Sequence, residues 1–217
     1  MKKLIIIAVF FLSLFSLTAD ANSFMSQDDP SISIGVNDFI IISDVNVIKD
    51  KINTKGMSDR ALEQVNLAHL AYEKGVNFLK QENPTEAIVS FKSAFKNYKR
   101  AKLDADILNY PNLQLAVAHS MSEAARDKKK VGRYLDLVTK SIYKEKDWSY
   151  NIAILNYLNK NEIAAAELLE NTIKKNKFFI KAYGSLIAVY QNISNTKKAE
   201  KTISRLENVK NTLAEKE

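Results

Sequence analysis

The chain has 217 residues with a formal net charge of +7, 46% hydrophobic and 26% charged, which is enough apolar content for one packed domain. It has no cysteine, so disulfides, a thiol nucleophile and cysteine-ligated metals are excluded. Two histidines, five glycines and no G-x-S-x-G run leave a histidine metal cluster, a glycine-rich phosphate loop and a serine elbow without a basis, and the expectation is a non-enzyme with no cofactor and no metal.

Residues 1–21 read as a secretory signal peptide. Lys2 and Lys3 precede an apolar run from Leu4 to Leu17, and Ala19 and Ala21 put small residues at both positions that determine cleavage. The run falls short of the roughly 20 residues that span a bilayer, so cleavage is expected and the chain is placed in the periplasm or outside the cell. The alternative is an uncleaved signal that anchors it in the inner membrane. Loss of Lys2, Lys3 and Asp20 takes the net charge from +7 to +6. An exported basic chain points away from nucleic acid and towards an acidic protein surface, polymer or lipid.

Residues 22–57 form a polar leader followed by a short β-rich segment. Ile32, Ile34 and Val36 alternate with small or polar residues, Phe39 to Ile42 are continuously apolar, and Val45 and Val47 alternate again, which predicts two or three short strands. A lone hairpin is marginal in water, so such strands must lie on the rest of the fold, close a dimer or pair with a partner. From Ser58, an N-cap, the stripe Ala61, Leu62, Val65, Ala68 and Ala71 predicts one long helix over about residues 59–80.

Residues 68–101 carry the most specific pattern. Gly75, Ala87 and Ala94 are small where two helices would cross, Phe78 and Phe91 fill the remaining space, and Asn83-Pro84 supplies an N-cap with proline at the first helical position. This pattern resembles a tetratricopeptide repeat, a helix-turn-helix unit of about 34 residues. Residues 102–114, with Pro111, are expected to form a loop or extra turn. In residues 115–146, Ala118, Met121 and Ala125 face one way on a first helix, and Val131, Tyr134, Leu135, Val138 and Ile142 form the stripe of a second. Residues 147–179 pair Tyr150, Ala153, Ile154 and Tyr157 with Ala165, Leu169, Thr172 and Ile173. Residues 180–213 repeat the frame with Tyr183, Leu186, Ile187, Tyr190, Ala199, Ile203 and Leu206, and Ala165 and Ala199 stand 34 positions apart. The expected fold is therefore an all-α tetratricopeptide-repeat solenoid of about four units over residues 58–217.

The resemblance implies that the first helix of each unit lines a concave groove for a partner peptide or helix. That face would hold His69, Tyr72, Val76 and Leu79, then His119, Glu123 and Arg126, then Trp148, Asn151 and Leu155. Tyr72 and Trp148 are the anchor candidates, with the alternative that Trp148 is a wedge between the second and third units. Arg126, Lys128, Lys129, Lys130 and Arg133 form the densest basic run, which is either a solvated corner or a docking spot for an anionic envelope surface. The functional expectation is a non-enzymatic protein-protein interaction scaffold of the bacterial cell envelope. The alternative is a basic protein binding an anionic polymer or lipid.

Overall fold

Capping side chains set where the helices begin. The Ser58 hydroxyl accepts the Ala61 N–H at 3.3 Å and opens the longest helix, while Asn83 Oδ1 accepts the Glu86 N–H at 3.3 Å and, with Pro84 behind it, opens the next. The computed structural model describes residues 34–42, 45–124, 127 and 129–215, which belong to one unit, Ile34–Glu217. The signal peptide with Ala19 and Ala21, and residues 22–33 of the leader, lie outside the described residues.

The described elements are helices: α1 (Asn46–Lys49), α2 (Asp59–Lys80), α3 (Pro84–Arg100), α4 (Ala105–Met121), α5 (Lys130–Leu135), α6 (Lys146–Leu158), α7 (Glu162–Lys175), α8 (Ile180–Asn192) and α9 (Thr196–Ala214). Short 3-10 turns occupy Val36–Asp38 and Lys140–Lys144. Helices adjacent in sequence pack together, α2 with α3, α3 with α4, α4 with α5, α6 with α7, α7 with α8 and α8 with α9. In addition α4 touches α6 and α6 touches α8, so these first helices form a neighbouring row. None of the described helices is long and apolar enough to cross a membrane.

Three turns share one geometry. Glu82, Lys160 and Ser194 adopt left-handed backbone (φ 55°, 63° and 57°), and the asparagine after each donates its N–H five residues back, Asn83 to Phe78 at 2.9 Å, Asn161 to Asn156 at 2.8 Å and Asn195 to Tyr190 at 2.8 Å. This closes the first helix of each pair with a bond onto its last free carbonyls and starts the second within two residues. Where the helices cross, Ala87, Phe91, Ala94, Ala165 and Leu169 are fully buried and Ala199 nearly so. A buried Phe91 side chain contributes about 1.5–3 kcal/mol relative to an exposed one.

The structure differs from the sequence expectation in three places. Among the described residues there is no strand: Val36–Asp38 is a 3-10 turn, Phe39 is extended but joins no ladder, and Asn46–Lys49 is helical. β-branched residues suit any half-buried extended chain, and here the hydrogen bonds come from side chains of helices. Residues 105–114 are helical, not a loop: Pro111 lies inside α4, which tolerates the lost N–H because neighbours bury it from Asn109 to Ser120. The second helix of the 115–146 unit stops at Leu135 instead of running to Ile142. Beyond it, the Thr139 N–H bonds to Asn109 Oδ1 at 2.9 Å, and the Ser141 and Thr139 hydroxyls reach Asp106 Oδ1 at 2.8 and 3.1 Å. These α4 side chains offer the backbone partners that compete with helix continuation.

Candidate functional site: one helix face crossed by residues 34–51

The side chains on α2, α4, α6 and α8 meet one shared feature, the chain segment that precedes them. Asn151, at the middle of α6 and fully buried, donates from Nδ2 to the Ile40 carbonyl at 2.7 Å and accepts the Ile40 N–H on Oδ1 at 2.9 Å. On α4, Gln114 Nε2 donates to the Ile42 carbonyl at 3.3 Å and to the Tyr72 hydroxyl of α2 at 3.2 Å. On α8, burial lowers the Lys181 ammonium, opposed in part by the charge of Asp38. The segment thus runs past α6 and α4 towards α2, opposite to the order of those helices.

Residues 45–51 anchor it at the far end. Val45 and Ile48 are buried, Lys49 pairs with Glu73 of α2 at 3.5 Å, and Lys51 pairs with Glu145 at 2.8 Å while lying over the Tyr110 ring. The hydrogen bond to Glu145, first of all, raises the Lys51 ammonium above its ordinary range. Within residues 34–42, Phe39 and Ile34 are the buried side chains, at 7% and 8% exposure, and Val36 is 37% exposed, lining a 170 Å³ cleft with Leu158. The Asp38 carboxylate accepts the Gly35 N–H at 2.8 Å, so an acidic residue closes the turn that leads into Phe39.

The residues assigned to the groove by the sequence divide into three groups. Tyr72, Trp148 and Asn151 border the crossing segment, Tyr72 through Gln114 and Trp148 through its edge-on contact with Tyr110 at 5.2 Å. All three are buried, so Tyr72 and Trp148 are not exposed anchors. The histidines sit elsewhere. His69 bonds to the Tyr98 hydroxyl of α3 at 2.7 Å, and His119 stacks on Tyr134 with Nδ1 3.5 Å from Asp127. Burial lowers both imidazoles, His119 to about 4 against the pull of Asp127. Val76, Leu79 and Leu155 are core residues, Glu123 is exposed, and Arg126 lies outside the described residues.

Of the basic run, Arg126 and Lys128 lie outside the described residues, Lys129 and Arg133 are exposed, and Lys130 pairs with Asp127 at 2.8 Å. Among the described residues no group of three acidic or histidine side chains could hold a metal ion. Sequence reasoning missed Gln114 and Ile40, because the first was assigned to a loop and the second to a strand. The helical stripe around Ile107, Leu113 and Val117 carried a signal for Gln114's position that Pro111 obscured.

A scan against protein-family models, a search of curated proteins and a search of solved structures each found no match.

Proposed function

We propose that this protein is an exported, non-enzymatic interaction scaffold built from tetratricopeptide-like helical hairpins. Its face of first helices holds a polypeptide segment of a partner in the cell envelope. The observation that carries this reading is Asn151, whose buried amide uses both its polar groups on the main chain of one irregular residue, Ile40. A fully buried asparagine costs stability unless both groups are matched, and the N–H and carbonyl of one residue, pointing the same way, are what a non-helical peptide offers. The repeated asparagine turns and the crossing of Gly75 on Phe91 support the tetratricopeptide likeness. The Ala19-Asp20-Ala21 sequence behind a short apolar run supports export.

The anionic-surface reading is the second one: Lys129 and Arg133 are exposed and Lys130 is paired with Asp127, but no contact there compares with the grip of Asn151 on main chain. Photo-crosslinking in intact cells tests the proposal. A crosslinker at Leu158, beside the segment, is expected to capture one discrete envelope protein that a crosslinker at the exposed Glu200 of α9 does not. Capture from position 200 alone, or capture lost in moderate salt, rejects the peptide-binding face.

A further inference from the structure

The geometry points to residues 34–42 as the resident occupant of the partner site, and we propose that a partner segment of like chemistry enters by displacing them. That chemistry is a turn closed by an acidic residue, a large apolar residue directly after it, and extended main chain one residue further on. The inference rests on the peptide-binding reading above and names its ligand.

The grip is on main chain. Asn151 holds both polar groups of Ile40, and Gln114 holds the Ile42 carbonyl. Neither contact depends on which side chains the segment bears, so a second polypeptide in the same conformation satisfies the two amides equally well. Exchange is then close to neutral in hydrogen bonds, and the side chains decide affinity. Selectivity falls to three positions: Asp38, which closes the turn on Gly35, Phe39, which is buried directly after the turn, and Ile34, which is buried directly before it.

Displacement leaves the tether intact. Residues 45–51 are held by the Lys49–Glu73 and Lys51–Glu145 pairs, neither of which involves residues 34–42, and Val45 and Ile48 are buried. Residues 39–42 belong to no helix or ladder, so their release breaks no cooperative run of backbone bonds. An occupant in cis lowers the apparent affinity of a partner by the fraction of time it is closed, which gives the chain a built-in threshold for binding.

The test uses the full chain and a fluorescein-labelled peptide with the sequence of residues 34–42 and a lysine tail for solubility. Fluorescence anisotropy is expected to show binding to a Phe39→Ser chain about tenfold or more tighter than to the unaltered chain. Adding Asn151→Ala is expected to abolish it, and so is replacing the peptide's aspartate and phenylalanine with lysine and serine. No binding by a Phe39→Ser chain that keeps its helical circular dichroism, or binding indifferent to Asn151→Ala, overturns the proposal. A second measurement needs no variant: amide hydrogen exchange of the unaltered chain is expected to show Ile40 exchanging by local opening, faster than the α6 amides, and faster still with the unlabelled peptide, which takes its place on Asn151. Exchange of Ile40 only together with α6 makes residues 34–42 a permanent cap and overturns the proposal. Dimers of the Phe39→Ser chain that depend on Asn151 assign the occupant to a second copy and overturn it as well. Peptide exchange with no capture from position 158 in cells sinks the partner reading alone, whereas capture from position 158 with a fixed Ile40 sinks this one alone.

Discussion

Gly75 and Phe91 are in contact so close that a methyl group on Gly75 would stand 2.7 Å from Cε1 of the Phe91 ring, with Cδ1 and Cζ at 2.8 Å. The backbone of α2 therefore lies directly on an aromatic face of α3, and Tyr72, one turn earlier, meets the same ring edge-on at 5.4 Å. Glycine is needed here for approach, since its backbone angles are helical.

Gly75→Ala is accordingly expected to destabilise the fold by roughly 1–3 kcal/mol, although alanine is the better helix former by about 1 kcal/mol. Phe91→Leu in the same chain should recover part of the loss, because a branched aliphatic side chain can withdraw where a fully buried ring cannot. Urea unfolding of the two single variants and the double variant measures the coupling. Losses that simply add would mean the crossing is looser than the structure has it.

How much of this was legible in the sequence follows from where each hydrogen bond goes. The α2–α3 hairpin is written locally, in Ser58, Asn83-Pro84 and a stripe with helical period, and those residues act on their own neighbours. The end of α5 is not written locally, because the groups that stop the helix, Asn109 and Asp106, lie about thirty positions upstream of Thr139 and Ser141. The stretches Ile32 to Val36 and Phe39 to Ile42 read as short strands for the same reason: alternating or continuous β-branched residues report an extended, half-buried chain, but not whether a strand or an asparagine supplies its hydrogen bonds. Tyr72 and Trp148 were placed on an inner face, yet nothing in their spacing reveals that residues 34–51 lie across it.

Asn109 offers a second test. It is 1% exposed, accepts the Thr139 N–H, and donates from Nδ2 to the Thr139 and Ser141 hydroxyls at 2.6 and 3.3 Å. Asn109→Ala strands that N–H and should cost roughly 1–3 kcal/mol in urea unfolding. Ser141→Ala, at an exposed hydroxyl, should cost much less. Equal losses would show that the break after α5 is set by Ser141 and not by the buried amide.

Export predicts a defined mature end. Protein purified from the cell envelope should begin at Asn22, after Ala19-Asp20-Ala21, and intact-mass analysis reads this directly. Recovery of the chain with residues 1–21 attached would instead favour the membrane-anchored form.

His119 makes stability depend on pH over a window of its own. In the unfolded chain the imidazole takes a proton at about 6.5. In the fold, burial lowers that to about 4, helped by Lys130 and Lys92 and opposed by Asp127. Between these values the unfolded chain binds a proton that the folded chain refuses, so acidification drives unfolding there, while above and below the window this group adds no slope. His69, also lowered by burial, acts in the same direction, whereas Asp106 and Asp127, with carboxyls held below their ordinary value, add their loss only at lower pH. The urea midpoint is therefore expected to fall between pH 6.5 and pH 4, and His119→Phe, which keeps a ring against Tyr134, should flatten much of that fall. A variant with the same pH slope as the parent chain would move the titration to another group.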